Sequence, residues 1–208
     1  MPVHSPGRGH TGRVLTLILL KHTDREPVMS EYERIVSHAA GGGNDDALAC
    51  MLASWQAGNG AMPDYLGLEP SEFAALIDSC FPGLGTEALR QRGCQADRAR
   101  ASEFDDVLEL LQRNRASRCD SEHAMATIVS QACQGQDHLW QDMGLWSRDQ
   151  LSALMVRNFP SLAQRNTRNM KWKKFIYKQL CDAEGIYTCR APSCEVCVDY
   201  DACFGPEV

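Results

Sequence analysis

The sequence has no apolar stretch long enough to cross a bilayer. Its longest candidate, Val14 to Leu20, spans seven residues, against the roughly 20 that a membrane helix needs. No small-residue cleavage site follows that run. Lys21, His22, Asp24, Arg25 and Glu26 stand there instead, so a secretory leader is not expected and the chain is placed in the cytoplasm. Positive charge is also in short supply. Twenty-one Lys and Arg face 27 Asp and Glu, a net charge of -6, which excludes a general nucleic-acid binder that must displace counterions from phosphate. Runs of alternating, β-branched residues bounded by hairpin turns are missing, and with them the signature of a sheet. No nucleophile–base set or paired-carboxylate motif is present. Gly41-Gly42-Gly43 leads into Asn44 and lacks the Lys-Ser/Thr of a phosphate loop. An enzyme with turnover chemistry is therefore not expected.

What the sequence does contain is helical periodicity, in one segment after another. Tyr32, Ile35, Val36 and Ala39 form a first stripe, with Ser30 and Glu33 at capping-box spacing. Leu48, Met51, Leu52 and Trp55 follow after Asn44. Phe73, Leu76, Ile77 and Cys80 run up to the turn residues Pro82, Gly83 and Gly85. Phe104, Val107, Leu108 and Leu111 form a fourth stripe behind a cap at Ser102 and Asp105, and Met125, Ile128, Val129 and Ala132 form a fifth. A sixth helix starts at Ser147 and Gln150, with Trp146 and Leu151 at the staple positions. The seventh, from about Arg168 to Glu184, turns Trp172, Phe175, Ile176 and Leu180 to one side and Lys171, Lys174 and Lys178 to the other. These segments predict an all-α fold: a single helical domain of about seven helices over residues 29–208, with a helical body at 29–185 and a cysteine-rich loop at 186–208. Residues 1–28 are expected to be a poorly ordered extension.

Ten cysteines remain to be explained. Four of them, Cys189, Cys194, Cys197 and Cys203, have the spacing C-x4-C-x2-C-x5-C within fifteen residues. The segment holds too few apolar residues to bury them in a core, so it gains its structure by wrapping around something, with a metal centre favoured over disulfides or free thiols. Iron–sulfur clusters suit the pattern because each tetrahedral iron needs a thiolate to complete its sulfide shell, and short gaps let one loop reach several irons. A structural zinc site is the rival, since four thiolates also suit zinc, although zinc spacing more usually sets two close pairs well apart. The remaining cysteines, Cys50, Cys80, Cys94, Cys119, Cys133 and Cys181, are scattered singly and read as core or incidental residues. Cys133 and His138 form a C-x4-H pair, a candidate auxiliary metal contact. Lys171, Lys173, Lys174 and Lys178 form a basic run that reads as a solvated helix face or as a contact for an oxyanion or an acidic partner.

Several stretches together resemble the NifQ family. They are Met170-Lys171-Trp172-Lys173-Lys174-Phe175, Lys178-Gln179-Leu180-Cys181, Gly185-Ile186-Tyr187 and the four-cysteine loop ending Cys203-Phe204-Gly205-Pro206-Glu207. Upstream, Cys50-Met51-Leu52-Ala53-Ser54-Trp55, His138-Leu139-Trp140-Gln141-Asp142 and Gly144-Leu145-Trp146-Ser147-Arg148 are similar to the family as well. The resemblance implies a cytoplasmic nitrogen-fixation protein that carries a molybdenum–iron–sulfur cluster and supplies molybdenum, obtained from molybdate, to the scaffold proteins that assemble the iron–molybdenum cofactor. It implies Cys189, Cys194, Cys197 and Cys203 as the ligands. An iron–sulfur electron carrier and a zinc-stabilised interaction module are the alternatives that the four thiols alone leave open.

Overall fold

A computed structural model describes residues 25–89, 101–185 and 200–207. Among them the chain forms ten α-helices and no strand: α1 (Arg25–Val36), α2 (Asp45–Gln56), α3 (Pro70–Cys80), α4 (Ala101–Arg113), α5 (Ser121–Cys133), α6 (Leu139–Asp142), α7 (Arg148–Asn158), α8 (Pro160–Ala163), α9 (Trp172–Ala183) and α10 (Tyr200–Phe204). Single 3-10 turns at Asp64–Gly67 and Thr86–Ala88 flank α3. The all-α expectation holds. The count is higher than seven because α6, α8 and α10 are each only four or five residues long, too short to show a helical period. None of the helices is long and apolar enough to cross a membrane.

Helix α2 is the centre of the body. Every residue from Leu48 to Trp55 is buried, as expected of a helix covered on all sides. Helix α1 packs along it, and α4 pairs with α5. Phe73 of α3 is fully buried, with its ring 6.4 Å from that of Trp55 and 5.6 Å from that of Tyr65, both edge-on. Several buried polar groups pair with one another, as the low dielectric favours. Asn44 and Asn158 exchange amide hydrogen bonds of 2.7 and 2.9 Å across 114 residues of sequence, which ties the start of α2 to the end of α7. The Trp146 indole N–H donates to Ser54 Oγ at 3.2 Å.

Three expected boundaries shift. Helix α1 begins at Arg25, so Ser30 and Glu33 lie inside it and do not cap it. The cause is Val28, which is fully buried and carries the apolar stripe back one turn. Part of the expected extension therefore belongs to the body. Helix α4 starts at Ala101, one residue ahead of the proposed Ser102 cap. Helix α9 starts at Trp172, four residues later than Arg168. Asn169 adopts a left-handed φ of 55°, and the Asn166 side chain bonds both Met170 N, at 2.8 Å, and Met170 O, at 2.9 Å. These contacts hold the preceding residues in a turn. At α7 the Ser147 cap forms, with Gln150 N donating to Ser147 Oγ at 3.1 Å. The return bond from the Gln150 side chain goes to Trp146 N at 2.7 Å.

Candidate functional site

The C-terminal corner is built from the start of α9, the loop around α6, and residues 200–207. Cys203 lies in α10, half-buried against the core cluster. Its carbonyl accepts the Lys171 N–H at 2.8 Å, and Lys171 Nζ donates to Asp201 O at 3.0 Å. Arg168 lies over the Phe204 ring, 5.4 Å from its centroid, and that ring stacks on Tyr200 at 4.6 Å. Arg148 reaches Glu207 at 3.9 Å. Gly205 closes the segment by donating to Asp201 O, where a Cβ would come within 2.6 Å of that oxygen. The last of the four clustered cysteines is thus fixed to the helical body through backbone groups, Arg148 and Arg168. Cys189, Cys194 and Cys197 lie outside the described residues.

Beside Cys203 opens a cavity of about 410 Å³, with Lys171, Lys173 and Lys174 of the α9 start, His138 and Gln141 of the α6 turn, and Ala202 and Glu207 of the C-terminal segment in its wall. Three of the four predicted lysines therefore converge there, and Lys178 does not. Lys178 ion-pairs with Asp182 one turn along α9, at 2.7 Å. The lysines at the cavity differ among themselves. Lys173 is largely buried and pairs with Asp142, whose side chain is 2% exposed. It also donates to Gly135 O at 3.0 Å. Burial pushes the Asp142 carboxyl up, opposed by its bond to Lys173 and by that ammonium's charge. Gly135 admits this carboxylate because a Cβ there would come within 2.4 Å of it. Lys174 is exposed.

His138 caps α6 in a reciprocal box with Gln141, whose side chain takes the His138 N–H at 3.2 Å. Cys133, its proposed companion, is 1% exposed at the end of α5 and is not part of the cavity wall. Among the described residues no three His, Cys, Asp or Glu side chains come together to hold a metal. Cys50 and Cys80 are buried thiols of α2 and α3. At Cys80, burial and then the Asp45 carboxylate push the thiol up to about 12, which keeps it protonated and inert at neutral pH. Cys119 is exposed, Cys181 is half-buried, and Cys94 lies outside the described residues. Asp142, Gln141 and Glu207 were not legible as site residues. Their signal is burial of Asp142 and Glu207 and the convergence of two segments, the α6 turn and the C-terminal end, on the lysines of α9, which a linear pattern does not carry.

The model of the NifQ family matches residues 47–205. The chain belongs to the NifQ family. It is 41% identical to Protein NifQ of Azotobacter vinelandii over 168 residues, covering 76% of this chain and 86% of that one. Protein NifQ of Rhodobacter capsulatus is 37% identical over 161 residues, covering 77% and 87%. A NifQ homolog of Sinorhizobium fredii is 34% identical over 162 residues, covering 76% and 70%. The family takes part in nitrogen fixation. No solved structure matches.

Proposed function

We propose that this chain is a cytoplasmic carrier of a molybdenum–iron–sulfur cluster, held by Cys189, Cys194, Cys197 and Cys203, that donates molybdenum to the scaffold proteins assembling the nitrogenase iron–molybdenum cofactor. The carrying observation is the x4-x2-x5 spacing of four thiols in a member of a nitrogen-fixation family. Thiolates are soft ligands suited to iron–sulfur fragments. The position of Cys203 lends further support. It stands in a short exposed helix at the edge of the body, where a bound cargo remains within reach of an acceptor. Molybdate is the proposed metal source. The exposed Lys174 and Lys178 are the proposed contacts for an acidic face of the scaffold, a role in which charge complementarity sets encounter rate more than affinity.

The reading is tested on protein purified without oxygen from cells assembling nitrogenase. Iron, acid-labile sulfide and molybdenum are expected together, and molybdenum is expected to fall when apo-scaffold is added. Iron without molybdenum and without transfer would make the chain an electron carrier. Zinc without sulfide would make it an interaction module.

A further inference from the structure

We propose that the cavity beside Cys203 is a binding site for a tetrahedral divalent oxyanion, held by Lys171, Lys174 and His138 and positioned by the Lys173–Asp142 pair. The identity of the anion as molybdate rests on the carrier reading above, whereas the site itself does not.

The charge balance of the cavity carries the inference. Lys173 is matched by Asp142 and Glu207 by Arg148, so both of those pairs are internally neutral. Lys171 and Lys174 then remain in the wall against the single carboxylate of Asp137, which is exposed. Lys171 spends one N–H on Asp201 O, and an ammonium has three to give. In the α6 capping box the His138 ring accepts from the Gln141 N–H. An imidazole N–H can also donate to an anion.

The start of α9 adds to this. Its first turn carries no acidic residue. Lysines occupy the cap and the second and third positions, the reverse of what the helix dipole favours. As at the start of any α-helix, the N–H groups of Trp172, Lys173 and Lys174 have no partner within the helix. An oxyanion in the cavity would relieve both the unfavourable charge placement and the unpaired donors.

The test is calorimetric titration of the full-length protein at low ionic strength with sodium molybdate, tungstate, sulfate and phosphate, on wild type and on Lys171→Gln, Lys174→Gln and Arg113→Gln. Wild type is expected to bind molybdate at one site per chain with a dissociation constant below about 1 mM. Loss of either cavity lysine should weaken binding about tenfold, as expected for a charge-assisted hydrogen bond. Arg113→Gln, on the exposed face of α4, should bind as wild type. Molybdate should also slow amine-reagent labelling of Lys171 and Lys174 but not of Lys178. Tighter binding of sulfate or phosphate than of molybdate would keep the oxyanion site but remove molybdate as its ligand. Absence of saturable binding by all four anions, or binding unchanged in both lysine variants, would overturn the site. Because the carrier reading is judged on iron, sulfide and molybdenum content, either proposal can fail while the other stands.

Discussion

Helix α2 and the segment 200–207 hold their places by opposite means. Helix α2 buries eight consecutive residues, from Leu48 to Trp55, and is fixed by apolar packing, which is non-directional and does not depend on any one partner. The segment 200–207 has no buried side chain within α10. It is attached through Lys171 N to Cys203 O, Lys171 Nζ to Asp201 O, Arg148 to Glu207 and Arg168 over Phe204. These are a few directional contacts, among them an ion pair whose Glu207 side chain is 4% exposed, with Cys203 and Phe204 only partly buried against the core. From this difference the body is expected to fold without the C-terminal segment, and the segment to rearrange around a cargo without disturbing the body. Low local stability is also where parts that bind and release are drawn from.

The comparison breaks if the body is not governed by its packing. Phe73→Ala removes a fully buried ring that contacts Trp55 and Tyr65, and should lower the unfolding free energy by about 3–5 kcal/mol. A urea titration followed by far-UV circular dichroism measures this. A loss below about 1 kcal/mol would mean that the site collapses or that the ring is less enclosed than described.

A smaller effect is expected at the seam between the two regions. Lys173→Met leaves the Asp142 carboxylate buried without its cation and should lower stability by about 2–3 kcal/mol at pH 7, less than the full penalty of a broken buried pair because the acid can take up a proton. The pH dependence has a definite sign. Asp142 is already raised, chiefly by burial, so its folded state holds a proton more tightly than its unfolded state, and stability falls as pH rises through that window. Without Lys173 the folded value climbs further. The deficit of the variant relative to wild type should therefore be largest at neutral pH and fade as pH drops towards about 3.9, the unfolded value for Asp. Unfolding curves across pH 4–8 check it. A deficit that stays constant with pH would remove the Lys173–Asp142 pair as its source.

The body was the more legible region. Its stripes, such as Phe73, Leu76, Ile77 and Cys80, recur over about two turns and bury the residues the period selects. The start of α1 was less legible because Val28 stands two residues ahead of a convincing cap at Ser30, and burial decided where the helix begins. Helices α6 and α8 are single turns set by local contacts, the His138–Gln141 box in one and Pro160 at the first position in the other, and have no period to read. At the site, the sequence marked Cys203 and the basic run but could not rank the lysines. Lys173 and Lys178 differ only through Asp142, 31 residues upstream, and Asp182, four residues downstream. His138 was marked as a metal contact with Cys133, whereas folding sets His138 at the lysine-walled cavity and Cys133 in the core.

The central claim is that the cargo is held by the C-terminal thiols and not by the cysteines of the body. Anaerobic iron and acid-labile sulfide analysis of Cys197→Ala against Cys80→Ala, each with circular dichroism, tests it most directly. The account predicts a sharp loss of iron and sulfide in Cys197→Ala with helicity unchanged, since the substitution removes one of the four proposed thiolate ligands. For Cys80→Ala, whose buried thiol is held protonated, it predicts full iron and sulfide with at most reduced stability. A full cluster in Cys197→Ala, together with loss of the cluster at unchanged helicity in Cys80→Ala, would contradict it.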